Sequence, residues 1–248
     1  MRAGRLRAVL FDAFGTLLDT RGLHVRATEL ILADLGLDHL DASEVHDRWD
    51  EELLALEKPE NGPLPTWDVF KLSLKACLAS YGVSVGSAEL DRAIEVMEEV
   101  FRSGTKPFED ALELPAFCRE LGLRTALVSN ADARLLRHIL SETGLDSLMD
   151  VIIISDEVGA AKPDERIFCL ALEALGVRPH EALMVGDWRV DVIGARRAGL
   201  KSALVLRGRE PTFLLDVAEG AVPDLIVEEL RELKGPIASL ALGEGGEC

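Results

Sequence analysis

Ala8-Val9-Leu10-Phe11-Asp12-Ala13-Phe14-Gly15-Thr16-Leu17 is a short apolar run that stops on a carboxylate and passes into a glycine turn. Four consecutive apolar residues bounded in this way read as a strand buried on both faces. The same pattern recurs along the chain. Strands are expected over Arg7–Phe11, Arg124–Ser129, Asp150–Ser155, Ala182–Gly186, Ser202–Leu206 and Asp224–Val227. Helical periodicity fills intervals between them at Ala133–Thr143, Glu165–Leu175, Val190–Ala198 and Thr212–Glu219. Such alternation requires right-handed crossovers, and so an α/β chain with a Rossmann-like, doubly wound parallel sheet.

One stretch breaks the rhythm. Residues 20–104 contain no strand pattern, only four amphipathic helices over Leu23–Leu35, Ser43–Glu57, Thr66–Tyr81 and Ala88–Arg102. A proline- and glycine-rich link, Lys58–Pro65, separates the second from the third. The expected organisation is an α/β core of residues 1–19 and 105–248, carrying a small all-helical cap of residues 20–104. Leu30, Leu53, Leu74 and Ile94 then form the inside of the helical bundle. The tail from Gly235 to Cys248 is expected to be loose at its end.

Composition narrows the partners. The 248 residues include 27 Lys and Arg against 44 Asp and Glu, a net charge of −17. That balance argues against nucleic acid and against an anionic membrane surface. A small anionic substrate stays admissible, because a local cation or a metal can hold it. No apolar run approaches the ~18 residues of a spanning helix, and Asp12 interrupts the only stretch resembling a leader. A cytoplasmic protein is expected, and a homodimer is compatible with it. Cys77, Cys118, Cys169 and Cys248 show no metal-ligand spacing and read as ordinary buried thiols plus one at the C-terminus.

Ligands of open parallel sheets bind at the carboxyl ends of the strands. Taken in order, those ends supply Asp12, then Ser129-Asn130, then a loop with Lys162-Pro163-Asp164, then Gly186-Asp187-Trp188-Arg189-Val190-Asp191. Asp12, Asp187 and Asp191 bring about −3 to one crevice, against +1 from Lys162. Carboxylates gathered so closely raise one another's pKa unless a cation joins them. Mg²⁺, which prefers oxygen ligands, is the natural counter-ion, and the resulting site suits a phosphate group.

The order and content of these four strand ends resemble the haloacid dehalogenase superfamily of hydrolases, in the subgroup with a helical cap inserted after the first motif. The resemblance runs from about Ala8 to Val227. It implies that Asp12 is the nucleophile of a covalent aspartyl intermediate. It further implies that Ser129 donates a hydrogen bond to the transferring group and that Lys162 neutralises charge on nucleophile and phosphate. Mg²⁺ would be held by Asp12, Asp187, Asp191 and the backbone carbonyl of Phe14. Thr16 and Asn130 fall at family positions that shape the loop and the substrate-binding phosphate site.

One position departs from the phosphatase pattern. Two residues after the nucleophile, family phosphatases carry an aspartate that protonates the leaving oxygen; here it is Phe14. General acid–base help is typically worth 10²–10⁴-fold, so the loss matters. An aromatic at this position resembles L-2-haloacid dehalogenases, which need no metal, yet Asp187 and Asp191 retain the acidic pair of the phosphatases. The leading expectation is a Mg²⁺-dependent phosphatase on a small metabolite. The alternatives are a metal-free 2-haloacid dehalogenase and a weakly active binding protein on this scaffold. Asp19, Asp132 and Asp156 are the residues that could replace the missing acid, though each also reads as a turn or cap residue. Trp188 is a candidate for lining the crevice, with Trp49 and Trp67 inside the cap. His24, His39, His46, His138 and His180 lack metal spacing, and Asp47, Asp50, Glu51, Glu52, Glu98 and Glu99 read as solvated helix faces.

Overall fold

A computed structural model describes residues 5–56, 64–210 and 222–243. The expected helix Thr212–Glu219, most of the link Lys58–Pro65 and Cys248 lie outside the described residues. Six parallel strands form one sheet: β1 (Ala8–Phe11), β4 (Arg124–Ser129), β5 (Val151–Ile154), β6 (Ala182–Gly186), β7 (Lys201–Val205) and β8 (Leu225–Val227). Their order is β5-β4-β1-β6-β7-β8. From β1 the chain winds outward through β4 and β5, then returns to β1's other side to build β6, β7 and β8. The reversal lies between β1 and β6, and the carboxyl ends at such a switch point are where open α/β sheets bind ligands.

Alternation within β1 explains how both faces are covered. Val9 and Phe11 join one apolar cluster, Ala8 and Leu10 the other. Helix α8 (Glu165–Leu175) buries Ile167, Phe168 and Leu172 against the second face. Helix α6 (Ala133–Thr143) buries Leu135, Leu136 and Ile139 against the first. Helix α9 (Arg189–Arg197) follows β6, and α5 (Glu113–Glu120) precedes β4. The tail does not start loose: α10 (Lys234–Leu242) docks Ile237 and Ala241 into the core. Among the described residues no helix is long and apolar enough to cross a membrane.

Residues 20–104 hold four helices, α1 (Leu23–Asp34), α2 (Ala42–Leu56), α3 (Thr66–Ser80) and α4 (Ser87–Gly104). Helix α1 packs on α2 and α4, and α3 on α2 and α4. Leu74 lies in the main apolar cluster and Ile94 is buried, while Leu30 and Leu53 are half-buried. Trp49 is buried and donates its indole N–H to Ser73 Oγ at 2.7 Å. The chain enters and leaves this bundle through β2 (Leu18–Asp19) and β3 (Lys106–Pro107), an antiparallel pair.

Polar contacts tie the bundle to the sheet. The Asp156 carboxylate, on the short helix α7 (Ser155–Val158), accepts from Thr66 N at 3.0 Å and from Thr66 Oγ1 at 2.8 Å. It thereby caps α3, whose own N-cap is Pro65 and has no side chain for the task. Glu98 is not a solvated residue as expected. It is buried on α4 and pairs with Arg134 of α6 at 2.9 Å and with Arg102. Cys169, expected to be a buried thiol, is exposed, whereas Cys77 and Cys118 are buried.

Candidate active site

Parallel register brings the strand ends level. Phe11 lies opposite Leu127 of β4 and Val185 of β6, so Asp12 emerges between those strands. The Asp12 backbone N–H donates to Val185 O at 2.9 Å, which fixes where its side chain starts. Ser129, the last residue of β4, is buried one residue beyond the level of Asp12. Asp187 follows β6 directly, and Asp191 sits in the first turn of α9.

Asp12, Asp187 and Asp191 meet with one ligand oxygen each inside a 4.8 Å circle, and all three are buried. Gly186 permits this approach: a Cβ there would lie 2.3 Å from Asp191 Cγ. Gly15 has φ +80°, and a Cβ on it would lie 2.2 Å from Asp187 Oδ2. The Lys162 ammonium bridges the cluster, 2.5 Å from Asp12 Oδ1 and 2.6 Å from Asp191 Oδ1. Asp191 Oδ2 accepts from Trp188 N at 3.0 Å, so this carboxylate also caps α9.

Burial dominates the titration of the cluster. It pushes the Asp12 and Asp191 carboxyls up to about 6 in spite of Lys162 beside them. Asp187 is raised as well, by burial first, against the pull of Arg209. Burial opposes the Lys162 charge, but Asp12 and Asp191 outweigh it and hold the ammonium above its usual value.

Thr16 and Asn130 both serve these charged groups. Thr16 Oγ1 donates to Asp187 Oδ1 at 2.9 Å. Asn130 Oδ1 accepts from Lys162 N at 2.7 Å while its Nδ2 donates to Lys162 O at 2.9 Å. This two-way clamp fixes the backbone that carries the ammonium. Phe14 turns its ring edge-on to Phe101 of α4, with centroids 5.9 Å apart. Phe101 in turn packs on His24, which stacks on His46 at 5.4 Å. Burial and the neighbouring His46 lower the His24 imidazole to about 4.

The substitutes for the missing acid are all engaged. Asp19 pairs with Arg21 at 2.5 Å, Asp132 caps α6 by accepting from Leu135 N at 2.8 Å, and Asp156 caps α3. Sequence reading missed two arginines after β7. Arg209 Nη2 sits 2.5 Å from Asp187 Oδ2, and its guanidinium lies 5.7 Å from the Trp188 ring. Arg207 is buried against Asp110 at 2.8 Å, stacks 3.9 Å over Phe108 and donates to Thr16 O at 2.8 Å. Arg209 corrects the charge count: with Lys162 it leaves the cluster near −1. Both arginines follow the carboxyl end of β7, the same kind of position that supplies Asp12 and Asp187.

Comparison with known proteins places the chain in a family. A family model described as haloacid dehalogenase-like hydrolase matches residues 6–199. Phosphoserine phosphatase of Thermus thermophilus is 41% identical over 146 residues, 58% of this chain and 57% of that protein. The alignment thus spans little more than half of that relative. N-acetylmuramic acid 6-phosphate phosphatase of Pseudomonas aeruginosa is 29% identical over 94% of this chain and 95% of its own. Among solved structures, L-2-haloacid dehalogenase from Xanthobacter autotrophicus superposes with a TM-score of 0.73 at 24% identity, covering 94% of this chain and 98% of that one.

Proposed function

The chain belongs to the haloacid dehalogenase-like hydrolases, and from that premise we propose that it is a Mg²⁺-dependent phosphatase of a small phosphorylated metabolite. The observation that carries this reading is the buried trio Asp12, Asp187 and Asp191, with ligand oxygens within 4.8 Å of one another and Lys162 bridging Asp12 to Asp191. An all-oxygen donor set of buried carboxylates with raised pKa values fits a hard divalent cation. The two phosphatase relatives support the same substrate class, whereas the likeness to a dehalogenase structure speaks to the fold alone.

In this reading Asp12, Asp187, Asp191 and the Phe14 carbonyl hold the ion. When bound, it supplies the positive charge that draws a phosphate to the cluster. Lys162 grips Asp12 Oδ1, which leaves Oδ2 to attack phosphorus. A bond forms from Oδ2 to phosphorus, and the bond to the leaving oxygen breaks with its electron pair. The Ser129 hydroxyl donates to the phosphoryl group. Water then attacks the aspartyl phosphate, releases inorganic phosphate and restores the carboxylate. Thr16 and Asn130 act from behind, through Asp187 and the Lys162 backbone. Residues 20–104 act as a cap over a core of residues 1–19 and 105–248.

Metal binding is the test. Mg²⁺ is expected to raise the Tm of the wild type by mass action, and Asp187→Ala to remove most of that rise. The pH dependence has a defined sign. With folded pKa values of about 6 against 3.8 unfolded, Asp12 and Asp191 lose stability for the metal-free protein as pH climbs from about 4 through 6. The Mg²⁺-induced shift is therefore expected to be larger at pH 7.5 than at pH 5. Calorimetry with and without Mg²⁺ cancels the opposite contribution of His24, which is lost as pH falls from 6.5 towards 4. Equal shifts in wild type and Asp187→Ala would misplace the ion.

Phe14 predicts a limit on the substrates. With no proton to offer there, the wild type should hydrolyse p-nitrophenyl phosphate far better than alkyl phosphates. Phe14→Asp is expected to flatten the dependence on leaving-group pKa and to raise alkyl phosphate turnover by ~10-fold or more. The ring's contact with Phe101 means some stability is lost with it. An unchanged slope in a folded variant would show that another group already supplies the proton.

A further inference from the structure

We propose that Arg209 sets the divalent-cation affinity of this site by competing with the cation for Asp187. The inference rests on the reading of the carboxylate trio as a metal centre. Arg209 reaches in from the loop after β7 and places Nη2 2.5 Å from Asp187 Oδ2 and 3.2 Å from Asp187 O. The other carboxylate oxygen takes the Thr16 hydroxyl at 2.9 Å. Both oxygens of Asp187 are thus engaged. The carboxylate has little freedom to turn away, because the Gly15 backbone closes one side so tightly that a Cβ would stand 2.2 Å from Oδ2.

The two cations of the site differ in how firmly they are held. Lys162 has a side chain 3% exposed and is gripped by two carboxylates, so it is part of the framework. Arg209 has a side chain 37% exposed and bears on Asp187 alone among the site's carboxylates. Its guanidinium also rests 5.7 Å from Trp188, a surface along which it can withdraw. A divalent cation on Asp187 must either displace this guanidinium or bind a few ångströms from it against Coulomb repulsion. Arg209 therefore neutralises Asp187 when no cation does and weakens cation binding when one arrives. Nη2 alone donates to both the side-chain Oδ2 and the backbone O of Asp187, and a lysine, shorter and ending in a strongly hydrated ammonium, holds that pair less well.

The test is calorimetric titration of MgCl₂ into the EDTA-stripped full chain. Arg209→Gln is expected to bind Mg²⁺ about tenfold more tightly than the wild type. Arg209→Lys should fall between the two, and Asp187→Asn should lose the binding. Loss of a merely structural contact would loosen the site, so tighter binding is the diagnostic sign. Arg209→Gln that folds, by near-ultraviolet circular dichroism, and binds Mg²⁺ with unchanged or weaker affinity would overturn the proposal. Should Arg209→Gln not fold, Arg209→Lys decides: tighter binding than wild type upholds the competition, unchanged binding overturns it. Wild-type Mg²⁺ affinity in Asp187→Asn would instead overturn the metal-centre reading itself.

Discussion

Asp12→Asn is expected to lower turnover on the order of 10⁴-fold or more, while the protein melts no lower than the wild type. The amide keeps the size of the side chain but is a very poor nucleophile. The stability half of this expectation follows from electrostatics. Burial raises the Asp12 carboxyl from 3.8 to about 6, so holding it ionised at neutral pH costs the metal-free fold on the order of 3 kcal/mol. An uncharged side chain escapes that cost, though it gives up the Lys162 contact. Function and stability pull apart at this residue, as they do where a site is built for chemistry. Undiminished activity in the variant, with deamidation excluded by mass spectrometry, would contradict the covalent mechanism.

The second large effect concerns Lys162. Lys162→Met is expected to cost about 3–5 kcal/mol of stability at pH 7.5, since it leaves Asp12 and Asp191 facing each other in a buried site without their shared cation. For a chain of this size that is roughly 6–20 °C in Tm. The sign of the pH dependence is fixed. Below about pH 6 the two carboxyls take up protons and the repulsion fades, so the deficit should shrink towards pH 5. Mg²⁺ at neutral pH should recover part of it. A deficit that stays constant from pH 5 to 7.5 would mean that Lys162 stabilises by packing alone.

The parallel sheet is readable because each strand is a brief apolar run bounded by turn or charged residues. Helices α6 and α8 are found over Ala133–Thr143 and Glu165–Leu175, where their periodicity placed them. Strands β2 and β3 escaped because two residues carry no period. Helix α5 escaped because Pro115 looks like a breaker, yet it falls in the first turn, where a missing N–H costs nothing. Gly235 and Pro236 disguised the start of α10 in the same way. Glu98 had a signal that charge obscured: it shares the helical stripe of Ile94 and Phe101, both buried. At the site, Asp12, Lys162, Asp187 and Asp191 were readable from strand ends. The tasks of Thr16 and Asn130 were not, because a hydroxyl and an amide at those positions fit substrate contact and internal bracing equally well.

Phe14 and the acidic trio pull the functional reading in opposite directions. The aromatic favours displacement of halide, while three buried carboxylates against two cations leave a net negative cluster that suits a divalent ion. Arg209 already answers one of those carboxylates, which leaves Asp12 and Asp191 to share Lys162 and makes divalent cation the decisive variable. The most direct measurement is release of p-nitrophenolate from p-nitrophenyl phosphate with Mg²⁺ and with EDTA, run beside halide release from 2-chloropropionate. A Mg²⁺-dependent phosphatase gives p-nitrophenolate only with the metal and no halide under either condition. Halide release in EDTA, with the phosphate ester intact in Mg²⁺, would contradict it.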